Sequence, residues 1–167
     1  MEEPKFDENY RPFETLKPTS VPRARKITTI LKLNNNSLEN LGGLDTILPR
    51  IMLHPQELRM LDLSFNNLHT IEKVLVKAAP NLSVLKLHAN AISRLAAVDQ
   101  LAQLPLLITL TLHGNDVDQN AGYRNYVISG IPSLKSLDFT TITPKDRNDA
   151  VTWRRIHGPK KTRGQFQ

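Results

Sequence analysis

His88 and His113 come nearest, by type and spacing, to residues that could do chemistry. They occupy equivalent places in two similar stretches, SVLKLHAN at 83–90 and ITLTLHGN at 108–115. If those stretches are neighbouring strands, the two imidazoles lie roughly 5 Å apart. A pair of imidazoles can begin a metal site or pass a proton. Zinc, however, needs a third protein ligand and partners that fix each ring. Asp62 is only diagonal to the pair, and Ser64 is a poor ligand. We therefore read both as ordinary surface histidines and expect no metal and no cofactor. The chain contains no cysteine, which removes disulfides, thiolate ligands and cysteine nucleophiles. It shows no nucleophile–base–orienter set, phosphate-cradling glycine loop or paired-carboxylate cleft, so we expect no enzyme.

What must position the histidines is the phrase that contains them. Its clearest copy is LRMLDLSFNNLHTI at 58–71, where Leu58, Leu61 and Leu63 are followed by Asn66, Leu68 and Ile71. Thr28, Leu31, Leu33, Asn36 and Leu38 make another copy, as do Leu82, Leu85, Leu87, Asn90 and Ile92. Leu107, Leu110, Leu112, Asn115 and Val117 repeat it again, and Leu134, Leu137 and Phe139 begin a further copy without an asparagine. Leucines and asparagines in this order, at a period of roughly 25–30 residues, are the mark of a leucine-rich repeat. The leucine–x–leucine piece is a short strand, so its leucines share one face and point into the core. The chain then turns, and the inward backbone groups of that turn need partners. An asparagine amide offers donors and an acceptor, so each should serve the turn of its own repeat and of the next.

The expected fold is therefore an α/β leucine-rich-repeat solenoid of about five repeats, with a concave parallel sheet, a C-terminal cap and extended tails. Residues 1–26, with four prolines and no strand or helix period, read as an extended N-terminal tail; Phe6, Tyr10 and Phe13 could anchor it along a partner. Residues 27–142 form the solenoid. Ile47, Ile51 and Leu53 should cover the first repeat. Ile71, Val74, Leu75 and Ala78 fit a helical period in the second, and Leu95, Val98, Leu101 and Leu104 in the third. Pro80, Pro105 and Pro132 stop each return segment before the next strand. Residues 143–157 read as a cap helix, with Thr143 as its N-cap, Pro144 in the first turn and Asp146 at the third position. Val151 and Trp153 should lie against the last strand. Residues 158–167 are a basic tail.

Binding is then decided by the outward positions of the strands. The third-position column is Ile30, Met60, Val84, Thr109 and Ser136. The fifth is Lys32, Asp62, Lys86, Thr111 and Asp138, where opposite charges on adjacent rungs can pair. The seventh is Asn34, Ser64, His88, His113 and Thr140. An apolar strip of Ile30, Met60 and Val84, extended by Phe65, suits a partner segment such as a helix. The candidate protein-binding face is thus Ile30, Lys32, Met60, Asp62, Phe65, Val84, Lys86, His88, Thr109, Thr111 and His113. The formal net charge is +6, and residues 143–167 hold seven basic side chains against two acidic ones. Arg154, Arg155, Lys160, Lys161 and Arg163 could dock on an acidic protein surface, in a salt-sensitive way. The run PKKTR also admits nuclear import or nucleic acid. Against nucleic acid, the basic tail has Phe166 but no interleaved aromatic platform, and the repeat surface is neutral. No apolar run is long enough to cross a membrane, and MEEPKFDENY is unlike a secretory signal, so a cytoplasmic location is expected. Nothing in the pattern points to a homo-oligomer.

GYRNYV at 122–127 and the leucine–aspartate of SLDFTTITPKDR resemble the C-terminal cap of the SDS22-like class of leucine-rich-repeat proteins. Gly114–Asn115–Asp116 departs from that class, which usually has proline there. LDLSFNNL, NLSVLKLHANAISRL, TLTLHGN, GYRNYV and LDFTTITPKDR, in that order, resemble the leucine-rich repeat-containing protein 51 family over residues 31–155. That resemblance implies a non-enzymatic protein of motile cilia and flagella, a structural or adaptor component of the axoneme. Its partners would be axonemal proteins, tubulin among the candidates. The alternatives are a regulatory subunit of a soluble enzyme, as SDS22-like proteins are for a phosphatase, and a nuclear or RNA-particle adaptor.

Overall fold

Leucine at alternate strand positions, with asparagine just beyond, folds here as a coil whose every turn adds one strand to a sheet. The computed structural model describes residues 27–158. The strands are β1 (Ile30–Lys32), β2 (Met60–Asp62), β3 (Val84–Lys86), β4 (Thr109–Thr111), β5 (Ser136–Leu137) and β6 (Thr140–Thr141). They lie in chain order, with β1 to β5 parallel and β6 turning back antiparallel onto β5. Register follows the repeat: Leu31, Leu61, Leu85, Leu110 and Leu137 are successive partners.

These leucines build the core. Leu58, Leu61, Leu63, Leu82, Leu85, Leu87, Leu107, Leu110 and Leu112 are each at most 1% exposed. Full burial of one such side chain is worth about 1.5–3 kcal/mol, and the columns repeat that gain rung after rung. The convex side differs from repeat to repeat. It uses α1 (Leu44–Ile51), then α2 (Lys73–Ala78), then a 3-10 segment Leu95–Gln103, then α3 (Tyr123–Gly130). Leu95, Val98, Leu101 and Leu104 are three apart, the period of a 3-10 helix rather than an α-helix; all but the half-buried Leu95 are buried. Around α2 the inward residues are Ile71, just before the helix, and Leu75 within it, with Val74 and Ala78 half-buried beside them.

Over the first repeat the expected cover is wrong. Ile47, Ile51 and Leu53 are 48%, 58% and 75% exposed, and Leu41, Leu44, Leu48 and Met52 face inward instead. Helix α1 starts after Gly43, whose left-handed φ of 80° sets the helical phase, so Leu44 and Leu48 share the buried stripe.

The asparagines behave as ladder rungs, but in the opposite direction to the one expected. Asn66 donates to Leu63 O and Ser64 O in its own turn and to Leu33 O in the preceding one, while its Oδ1 accepts from Asn36 N and Leu38 N. Asn90 donates to Leu87 O and Leu63 O and accepts from Leu68 N. Asn115 donates to Leu112 O and Leu87 O and accepts from Ile92 N. Each asparagine thus completes its own repeat and the one before it.

At the C-terminal end, α4 (Pro144–His157) begins with the expected capping box: Thr143 Oγ1 accepts from Asp146 N, and the Asp146 carboxylate accepts from Thr143 N. Its inward residue is Ala150, 1% exposed, whereas Val151, expected against the last strand, is 68% exposed. Trp153 is half-buried and lies over Gly122 and the ring of Tyr126, covering α3 rather than β5. A Cβ at Gly122 would collide with the indole. Arg147 fastens the helix by donating to Ile128 O at 2.9 Å and to Leu134 O. Among the described residues no helix is long and apolar enough to cross a membrane. The N-terminal tail with Phe6, Tyr10 and Phe13, and the basic residues Lys160, Lys161 and Arg163, lie outside the described residues.

Candidate protein-binding face

The parallel register delivers the outward columns as sequence spacing requires. Ile30, Met60, Val84, Thr109 and Ser136 are successive partners, and so are Lys32, Asp62, Lys86 and Thr111. In the first column Ile30 is exposed and Met60, Val84 and Thr109 are half-buried, so this strip is accessible.

The fifth-position column is less of a surface than expected. Asp62 is 7% exposed and Thr111 is fully covered. Asp62 accepts from Ser64 Oγ at 2.6 Å and from Ser64 N at 3.1 Å, and it pairs with Lys86 Nζ at 3.3 Å. Burial works to raise its carboxyl, but the Ser64 hydrogen bonds and Lys86 outweigh burial and hold it below the usual carboxylate range. Lys32 makes no ion pair among the described residues, so the expected alternation closes only between Asp62 and Lys86. Asp138 leaves the column altogether. The chain turns left-handed at Asp138 and Phe139, and the Asp138 carboxylate accepts from Leu112 N, His113 N and Tyr123 Oη. Burial and that neighbouring carboxylate push the Tyr123 phenol far above its ordinary value, so it stays a hydrogen-bond donor. Thr140 is correspondingly not a seventh-position residue; it pairs antiparallel with Leu137.

The two histidines lie where the repeat puts them. Their rings stack with centroids 4.8 Å apart and planes 8° from parallel. His88 Nδ1 lies 2.8 Å from Thr111 Oγ1, and His113 Nδ1 lies 3.3 Å from Asp138 Oδ1. Burial, then the neighbouring His113, pushes His88 below the ordinary imidazole value, with Lys86 adding to the shift and Asp62 and Asp138 opposing it. A neutral, stacked imidazole presents a flat ring rather than a charge. Among the described residues no group of three or more histidine and acidic side chains is placed to hold a metal.

Phenylalanines flank the stack. Phe65 meets His88 edge-on at 5.2 Å, and Phe139 approaches His113 at 5.3 Å and His88 at 6.1 Å. Phe65 is 55% and Phe139 70% exposed. Both have left-handed backbone, with φ of 54° and 62°. Such conformations are uncommon for bulky residues and persist where the surroundings fix them. Here Phe65 N donates to His88 O and Asn66 holds its own turn by donating to Leu63 O, so the strain turns the ring outward. The face is therefore an aromatic platform, Phe65–His88–His113–Phe139, beside the apolar strip of Ile30, Met60 and Val84.

Phe139 was missed by sequence reasoning, which put it in the core as a sixth-position residue. The available signal was Ile142, which stands where asparagine ends the other turns. Without that amide the repeat turn is not completed: the strand ends at Leu137, one residue sooner than its equivalents, and the left-handed turn comes at Asp138 and Phe139. At the basic end, Arg154 is half-buried with its guanidinium 5.5 Å over the Tyr126 ring, and its Nη1 is buried without a hydrogen-bond partner among the described residues. It packs the cap and is no free docking charge; Arg155 is exposed.

This architecture has relatives. A family model described as leucine-rich repeat matches residues 52–163. Leucine-rich repeat-containing protein 51 of Rattus norvegicus is 43% identical over 150 residues, covering 89% of this chain and 78% of that protein. The U2 small nuclear ribonucleoprotein A' of Emericella nidulans is 35% identical over 121 residues, covering 72% of this chain but 49% of its own length. Among solved structures, the Drosophila melanogaster SNF/U2A' complex contains a chain that superposes with a TM-score of 0.64 at 27% identity, covering 75% of this chain and 81% of that one.

Proposed function

The chain belongs to the leucine-rich-repeat family, in the company of the leucine-rich repeat-containing protein 51 proteins, and from that membership we propose that it is a non-catalytic scaffold that binds protein. The observation that carries this reading is the platform of Phe65, His88, His113 and Phe139. Two phenylalanines stand more than half exposed on a backbone that hydrogen bonds hold rigid. Exposed apolar surface on a fixed frame favours binding, because little freedom is lost when a partner docks. The platform suits an apolar or aromatic side chain from a partner segment lying along the strip of Met60 and Val84.

The finer reading is a structural or adaptor component of the ciliary or flagellar axoneme, in the cytoplasm, with axonemal proteins as partners. Arg155 and the basic residues beyond it would add contact with an acidic surface such as tubulin. This reading rests on what the resemblance of LDLSFNNL, GYRNYV and LDFTTITPKDR to the leucine-rich repeat-containing protein 51 family implies. A second reading, an adaptor in an RNA particle, is favoured by the likeness to U2 small nuclear ribonucleoprotein A'.

Fractionation of ciliated cells tests both. The wild type should remain on axonemes through a high-salt wash, and Phe65→Glu with Phe139→Glu should release it while leaving the fold intact, since both side chains are exposed. Retention of the double variant would remove the platform as the binding face. Absence of the wild type from cilia, with co-sedimentation in ribonucleoprotein fractions, would favour the second reading.

A further inference from the structure

The apolar strip of the sheet contains one side chain whose polarity can be changed by chemistry. The chain has three methionines and no cysteine, so its only sulfur groups are thioethers. Met52 is 7% exposed and belongs to the core of the first repeat. Met60 is half-buried and stands in the third-position column, with Ile30 and Val84 as its partners in register. Alternation along β2 settles which way it points. Leu61, the next residue, is fully buried on the core face, so Met60 looks outward. The rest of the column is Ile30, Val84, Thr109 and Ser136, none of which a dilute peroxide attacks. The strip therefore holds a single group that takes up oxygen readily.

Oxidation at this place changes the surface and spares the fold. A thioether is apolar and pliable, and it fits a row with isoleucine and valine. Its sulfoxide is polar and carries a hydrogen-bond acceptor. A partner segment lying over Ile30, Met60 and Val84 would strip water from that oxygen and give no hydrogen bond in return. In the unbound protein the same oxygen stays in water. At Met52 the oxygen would instead enter the core.

We propose that Met60 is a reversible oxidation site, at which a peroxide converts the partner-facing strip from apolar to polar. In the forward step the O–O bond of hydrogen peroxide breaks and an S–O bond forms at Sδ. The sulfide gives up an electron pair, and the rest of the peroxide leaves as water. In the reverse step two thiols of a methionine sulfoxide reductase become a disulfide, and the oxygen leaves as water. Those thiols come from another protein, because this chain has none. Control of docking by this site rests on the strip being part of the binding face; the oxidation itself does not.

Brief exposure of the full-length protein to dilute hydrogen peroxide, followed by peptide mass mapping, tests the site. Met60 should gain oxygen about tenfold faster than Met52, with the melting temperature unaltered. Hydrophobic-interaction chromatography then reads the surface without any partner. The oxidised protein should elute earlier, and a mixture of the two epimer-specific reductases should restore the original elution. Met60→Leu, treated in the same way, should not shift. Equal rates at Met52 and Met60 would overturn the proposal. So would an equal shift in Met60→Leu, or loss of the folded state when Met60 alone is oxidised. On axonemes, peroxide should release the wild type and leave Met60→Leu bound, and equal retention of oxidised and reduced wild type would also overturn it. Reduced wild type that never binds axonemes is a failure of the axonemal reading alone, since the chromatographic shift decides the site without cilia.

Discussion

The two ends of this solenoid face the same problem and meet it differently. A repeat buries its leucines against the next repeat, so each end exposes a core face that no repeat covers. At the C-terminal end the chain supplies dedicated parts. β6 folds back on β5, Asp138 takes the backbone N–H groups of Leu112 and His113, and Arg147 ties α4 to the carbonyls of Ile128 and Leu134. Leu137, on the last parallel strand, is fully buried as a result. At the other end the described chain offers only β1, with Leu31 half-covered and Asn36 exposed. The difference teaches that the repeat phrase specifies the middle of the molecule, while closure depends on particular side chains at one end.

The largest effect that would break this comparison comes from trimming equivalent leucines. Leu137→Ala should cost about 2–5 kcal/mol, because it opens a cavity under the cap. Leu31→Ala at the equivalent position should cost about 1–2 kcal/mol, because less surface is removed from the core. Urea denaturation of both variants would decide it, and equal losses would erase the difference between the ends. A smaller and sharper contrast lies in the ladder. Asn90→Ala strands the N–H of Leu68 and removes one of the two asparagine donors to each of the carbonyls of Leu63 and Leu87, and should cost about 1–3 kcal/mol. Asn36→Ala should cost about 1 kcal/mol or less, since among the described residues its amide reaches only the carbonyl of Asn34. Thermal melts that rank Asn36 at or above Asn90 would mean that the first turn is as tightly tied as the third.

The smallest effect is that of acid on the middle of the sheet. His88 is held below its ordinary value of 6.5 in the folded protein. The unfolded chain therefore takes up its proton first as pH falls. The contribution is fully present above about pH 6.5, declines below it and levels off once folded His88 also protonates. Urea midpoints followed from about pH 8 to about pH 5 should show this slope, and His88→Phe should flatten it. An unaltered slope in that variant would assign the acid sensitivity to another group.

What could be read in the sequence follows the same division. The inward leucines, the register of the outward columns and the stacked histidines were all legible, because each is defined by its equivalent one repeat away. The capping box at Thr143 was legible because its rule is local. Phe139, Val151 and Ile47 were misjudged because inside and outside are set at those places by the way the chain leaves the repeat. Asp62 and Thr111 read from the sequence as open surface, and they are covered because neighbouring side chains on the same face fold over them. The direction of the asparagine ladder was not legible at all, since an amide can in principle serve the turn on either side.

That direction has a consequence for how the molecule is made. Asn66 finishes the turn of the first repeat, Asn90 that of the second and Asn115 that of the third. A ribosome delivers these residues in the same order, so every rung emerges incomplete and waits for the one synthesised after it. The wait ends only when the last strand and α4 have appeared. Nascent rungs are thus open to wrong pairing until translation is nearly over, and a chain stopped short of α4 loses more than its missing residues.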